Sequence, residues 1–242
     1  MSSRPLASSV LRRLAPLYEA LRPAGATRAL PIRLCALALC VAAVVFASSQ
    51  GARAWHTTEM TGALPRLDFT MTRASDGKQI DAAAYKGKIV ILFFGYTSCP
   101  DICPTTLLNA ATILKTLGPH ADDVRVLFVT VDPSRDTLDV LKQYTGSFAP
   151  QIVGLRGTPD QLATLAKRYR VAYSVRPADD GHGFDVSHST AAYVFDRNGN
   201  IKLLFTSLAA PNAKLDGMTA DLRQLVSGAA AVTWWQRVMH LL

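Results

Sequence analysis

Apolar residues fall along this chain in three different patterns, and each predicts a different kind of element. Residues 34–52 run for 19 positions without a charge, and residues 34–47 are almost entirely apolar. A helix of that length spans ~28 Å at 1.5 Å per residue, close to the hydrocarbon thickness of a bilayer, so one N-terminal transmembrane helix is expected there. Residues 88–95 form a shorter continuous apolar run, as a strand covered on both faces requires, and residues 124–131 read as a second buried strand. Residues 105–117, 138–148, 159–169 and 215–225 carry apolar residues at helical spacing.

Turn residues separate these segments. Asp76-Gly77 follows an alternating stretch at residues 67–71, and Asp196-Arg197-Asn198-Gly199-Asn200 joins two strands, residues 191–195 and 201–205, into a hairpin. The resulting order is strand, helix, strand, two helices, two antiparallel strands, helix. That order predicts an α/β protein, a three-layer α/β/α sandwich with a mixed sheet, and it fits a thioredoxin-like fold. The expected organisation is a basic cytoplasmic leader (residues 1–33), a transmembrane anchor or signal segment (34–52) and a linker (53–63). The domain proper follows (64–227), then an amphipathic C-terminal tail (228–242). The tail holds Trp234 and Trp235, which favour a lipid interface, and packing on the domain is the other reading.

Charge supports the membrane assignment. The chain has 242 residues and a formal net charge of +8, a balance that invites a nucleic-acid reading. Six arginines and one glutamate lie in residues 1–33, however, so five of the eight net charges precede the apolar run. The basicity is a topology signal: arginines hold the N-terminus in the cytoplasm and the body of the chain lies across the membrane. No basic stripe interleaved with aromatics follows residue 54, which argues against nucleic acid. Ala52-Arg53-Ala54 resembles a small-x-small cleavage site that would leave Trp55 as a new terminus. The long positive region and long apolar run favour an uncleaved single-pass anchor.

Four cysteines are too few for a disulfide scaffold. Cys35 and Cys40 lie in the apolar run, where packing is their expected role. Cys99 and Cys103 stand where a buried strand ends and a helix begins, flanked by Pro100 and Pro104. Helix N-terminal amides stabilise thiolates, so a lowered thiol pKa is expected at this position. Residues four apart on a helix share a face, which brings the two sulfurs together for a disulfide or for a soft ion such as Cu(I). Two sulfurs make a weak metal site, so a third ligand is needed. Of the five histidines, His56 lies in the linker, His120 at a helix end, His182 in a glycine-rich loop and His240 in the tail. His188 directly precedes a predicted strand, which fixes a side chain better than a loop does, and it is the favoured ligand.

Three segments carry a family resemblance. They are Gly95-Tyr96-Thr97-Ser98-Cys99-Pro100-Asp101-Ile102-Cys103-Pro104, Val131-Asp132-Pro133-Ser134-Arg135-Asp136 and Ser187-His188-Ser189-Thr190. Together they closely resemble the SCO1/SenC family of membrane-anchored, thioredoxin-like copper proteins that assist cytochrome c oxidase assembly. The resemblance implies one copper, Cu(I) or Cu(II), held by Cys99, Cys103 and His188. The implied function is a metallochaperone serving the copper-receiving subunit of the oxidase at the bacterial inner membrane, with the soluble domain in the periplasm. Other periplasmic copper chaperones, thioredoxin-like reductants and membrane lipid are further expected partners. Ser98 and Ser187 depart from residues the family often has beside its ligands. Asp132 and Asp136 read as loop caps, and Asp132 as a candidate supporting residue that tunes the site. The competing reading is a thiol–disulfide reductase in which Cys99 attacks and Cys103 resolves; peroxide reduction is a weaker third.

Overall fold

The computed structural model describes residues 55–177, 184–210 and 212–239. The predicted membrane span at 34–52 lies outside these, as do Cys35, Cys40, His182 and His240. Among the described residues no helix is long and apolar enough to cross a membrane.

The centre of the domain is strand β4 (Ile89–Gly95), in which every residue is buried. Side chains alternate across a strand, so β4 feeds two cores at once. Ile89, Ile91 and Phe93 enter one apolar cluster, while Val90, Leu92 and Phe94 enter the other. This is the physical basis of the uninterrupted apolar run in the sequence. The first cluster is closed by α1 (Ile102–Leu117) and α4 (Leu215–Met239), with Leu141 from α2 (Leu138–Gly146). The second is closed by Leu162, Leu165 and Ala166 of α3 (Pro159–Arg168) and by Tyr169. Thr158 and Gln161 form a capping box at the start of α3, satisfying N–H groups that the first turn leaves without partners.

Eight strands form one mixed sheet. β4 pairs in parallel with β5 (Val124–Thr130), which pairs in parallel with β6 (Ile152–Arg156). On its other side β4 runs antiparallel to β9 (Ala192–Phe195), the partner of β10 (Ile201–Phe205). β2 (Thr70–Arg73) and β3 (Gln79–Asp81) extend the β6 edge, and the two-residue β1 (Thr58–Glu59) extends the β10 edge. The layered α/β architecture expected from the sequence is therefore present, with a thioredoxin-like topology.

Four details differ from expectation. α1 begins at Ile102 rather than at residue 105, because Pro104 lies in the first turn, where a missing N–H leaves no bond unmade. β6 was not foreseen: it is short and carries Gly154, which is needed because a Cβ there would meet Leu141 Cβ at 3.2 Å and Ala74 Cβ at 3.3 Å. β7 (Tyr173–Pro177) and β8 (Phe184–His188) form a separate antiparallel pair where no strand was predicted. Finally, part of the expected linker is docked. The Asp221 carboxylate accepts the backbone N–H groups of His56 and Thr57 and the Thr57 hydroxyl.

Candidate metal centre

Cys99 lies in the loop from β4 to α1, half-buried, and Cys103 is the second residue of α1, with no exposed surface. The loop is fixed from three directions. The Cys99 N–H donates to the Tyr96 carbonyl at 3.3 Å. The Cys103 N–H donates to Cys99 Sγ at 3.4 Å, so a helix-end amide does point at this sulfur. Asp136, almost fully buried, accepts from the Thr97 N–H at 3.0 Å and the Thr97 hydroxyl at 2.5 Å. Its second anchor is the Thr130 hydroxyl at the end of β5, 2.6 Å away. Asp136 thus ties the cysteine loop to the neighbouring strand. Asp132 does something else: its carboxylate accepts from Ser134 Oγ at 2.7 Å and from Arg135 Nε, closing its own turn.

His188 is the last residue of β8 rather than a residue of the loop before β9, and it pairs in register with Tyr173. Its ring lies edge-on to Phe93 and to Tyr96, with centroids 5.9 Å from each. Nδ1 is 2.9 Å from the Ser189 carbonyl, an acceptor only, so Nδ1 carries the proton and Nε2 presents a lone pair. Nε2 faces Cys103 Sγ at 3.4 Å. Burial is the larger influence on the imidazole and lowers its pKa below 6.5 against the opposing hydrogen bond to Ser189. The ring is therefore neutral at pH 7 and able to donate to a metal.

Cys103 departs from the helix-terminus expectation. Burial raises its thiol pKa well above the usual 9.0, outweighing a hydrogen bond from Tyr96 that lowers it. In the metal-free protein Cys103 keeps its proton, which it can donate to His188 Nε2, and a bound cation must displace that proton.

One sulfur from each cysteine and one nitrogen from His188 all lie within 4.8 Å of one another. Donor atoms sharing one first-row ion sit on the order of 4 Å apart, so closure by under about 1 Å gathers all three. Among the described residues this is the group of three metal-ligating side chains that converges, and Asp132 is not part of it. His56 is engaged with Asp221 and His120 lies near Asp123, both away from the cysteines.

The family model described as SCO1/SenC matches residues 60–227. The chain belongs to the SCO1/SenC family. A mitochondrial SCO2 homolog from Bos taurus is 35% identical over 152 residues, covering 62% of this chain and 56% of the bovine protein. The chain thus spans little more than half the length of that relative. Among solved structures, copper-bound ScoI from Bradyrhizobium japonicum is 36% identical with a TM-score of 0.59, covering 66% of this chain and 98% of the other. Copper-bound ScoI from Arabidopsis thaliana is 32% identical with a TM-score of 0.58 over the same shares of both chains.

Sequence reasoning did not single out Tyr96, Phe93 or the β7–β8 hairpin. A weak signal for the hairpin was present: Tyr173, Val175, Val186 and His188 alternate with polar residues on either side of Gly181 and Gly183 in the sequence.

Proposed function

We propose that this SCO1/SenC chain is a copper metallochaperone that carries one copper ion to the dinuclear copper centre of cytochrome c oxidase and assists its assembly. Copper is the cargo, and Cys99, Cys103 and His188 are its ligands. The observation that carries this reading is the approach of Cys103 Sγ to an unprotonated His188 Nε2, with Cys99 completing the group. Two soft sulfurs suit Cu(I), and imidazole also accepts Cu(II), so the set can follow copper through both oxidation states. The copper held by the two ScoI relatives supports the same metal here. Half-burial of Cys99 and His188 leaves the site approachable, as handing over an ion requires.

The partner in this reading is the copper-receiving oxidase subunit. Other periplasmic copper chaperones or thioredoxin-like reductants supply the ion and the electrons that keep both thiols reduced. Residues 34–52 anchor the chain once in the bacterial inner membrane, and residues 64–227 form the copper-binding domain on the periplasmic side.

The test uses the reduced full-length chain and its His188→Ala variant, titrated with Cu(I) and with Cu(II). One copper per wild-type chain, lost or weakened at least about tenfold in the variant, is the expected outcome. If the wild type binds no copper tightly, and the variant reduces a disulfide in the recipient subunit at full rate, the protein is a thiol–disulfide reductase instead.

A further inference from the structure

The ligands come from two separate pieces, the β4–α1 loop and the β7–β8 hairpin, and Tyr96 touches both. Its ring meets the His188 imidazole edge-on, with centroids 5.9 Å apart and planes at 86°. Its carbonyl holds the Cys99 N–H at 3.3 Å. Tyr96 also packs against both apolar clusters, which limits how far the ring can move. Its remaining surface lines a cavity of about 440 Å³ with Ser98, Pro100 and Arg176.

One physical effect follows from this placement. An aromatic edge contact, added to that of Phe93 on the same imidazole (5.9 Å, 77°), restricts rotation of the ring that bears the nitrogen ligand. We propose that Tyr96 is a positioning residue of the copper centre, its ring holding the His188 imidazole in place while its carbonyl fixes the backbone of Cys99. Tyr96 thereby couples the loop that supplies two ligands to the hairpin that supplies the third. This inference rests on the copper reading above.

The experiment compares the full-length wild type with Tyr96→Phe and Tyr96→Leu. Tyr96→Phe keeps the ring and removes the hydroxyl; Tyr96→Leu removes both. The Cu(II) form is followed by its sulfur-to-copper charge-transfer band, the Cu(I) form by its release rate to a competing chelator. The metal-free form is followed by the NMR shifts of the His188 ring protons. In Tyr96→Phe, which keeps the ring, the band, the release rate and the imidazole signals stay at wild-type values. In Tyr96→Leu the imidazole signals shift and Cu(I) leaves about tenfold faster. Release as fast in Tyr96→Phe as in Tyr96→Leu overturns the assignment to the ring. Wild-type release in Tyr96→Leu overturns the positioning role itself. A wild-type chain that takes up no copper refutes the copper function, while the metal-free imidazole signals still decide whether the ring positions His188.

Discussion

Gly95 is the last residue of β4, and the site depends on its having no side chain. A Cβ built there would lie 2.6 Å from Phe128 Cε2 and 2.8 Å from Cys103 Sγ. Ordinary contacts between such atoms fall at about 3.5–4.0 Å, so a Gly95→Ala substitution demands about 1 Å of retreat. The Phe128 ring has little freedom to give it. It is fully buried, between Phe93 at 6.0 Å and Tyr144 at 5.6 Å. The sulfur must therefore turn about its Cα–Cβ bond, away from a His188 nitrogen now 3.4 Å distant. Overpacking of this kind costs about 1–3 kcal/mol, which in a domain of this size lowers Tm by roughly 3–10 °C. Copper affinity falls by at least about tenfold, because one of three ligands no longer points at the common centre.

The assay pairs thermal unfolding with a Cu(I) competition titration, and Gly154→Ala serves as the control. That substitution meets its neighbours at 3.2–3.4 Å, a milder crowding against Leu141 and Ala74 with neither ligand involved. It should lower Tm modestly and leave copper binding alone. Wild-type affinity in Gly95→Ala, or an equal loss of affinity in Gly154→Ala, would refute the claim that close approach of Cys103 to the strand end is what the glycine permits.

Asp136→Ala leaves the Thr97 N–H and two threonine hydroxyls without their acceptor; it should cost about 1–3 kcal/mol in urea unfolding and speed copper release, since Cys99 lies two residues beyond Thr97. An unchanged release rate would sever the loop anchor from the site. Asp221→Asn tests the docked segment near the N-terminal edge of the domain. Burial pushes the Asp221 carboxyl up, but the N–H and hydroxyl donors of His56 and Thr57 outweigh it and hold the pKa below 3.8. A carboxyl lowered on folding contributes stability that is present above its unfolded pKa and lost as pH falls through the folded one. The variant should therefore be less stable than wild type at pH 7, with the gap closing below pH ~4; a gap independent of pH counts against the carboxylate. Tyr169→Phe removes a hydroxyl that accepts from the Asp68 N–H and donates to the Arg66 carbonyl, both at 3.0 Å. A loss of about 1 kcal/mol with unchanged copper affinity is expected, and changed affinity would mean the two cores are coupled.

The parts legible in the sequence were those whose cause is local or repeated. β4 showed as an uninterrupted apolar run and β5 as a mainly apolar one around Arg125, because both sheet faces are covered, and the cysteine loop showed because chain order alone puts Cys99 and Cys103 at a strand-to-helix junction. The hairpin that carries His188 was not legible: its strands are five residues each, half-exposed, and the first ends in Pro177. The sequence favours His188 because it precedes a strand, yet it is held from the upstream side, as the end of one strand rather than the entrance to the next. The sequence points to Asp132 as the supporting residue, because nothing in chain order shows which of the two aspartates in this turn faces the cysteine loop. Only the direction in which the chain leaves β5 decides that Asp136 reaches Thr97 while Asp132 folds back on Ser134 and Arg135.

The two cysteines show most clearly what spacing cannot supply. Four residues apart on a helix start, they are equivalent in pattern, and the helix amides predict a lowered pKa for both. The fold makes them unequal. Cys103 is sealed beneath the strand end, its pKa raised by burial and its sulfur facing His188, whereas Cys99 stays half-exposed under the Cys103 amide. Helix-end stabilisation of a thiolate depends on the sulfur remaining near water or other polar groups, and full burial removes that condition. In the proposed copper reading, an ion arriving from solvent therefore meets Cys99 first. Capture is then complete only when Cys103 gives up its proton beside His188 Nε2, so burial rather than spacing sets the order in which the proposed ligands engage.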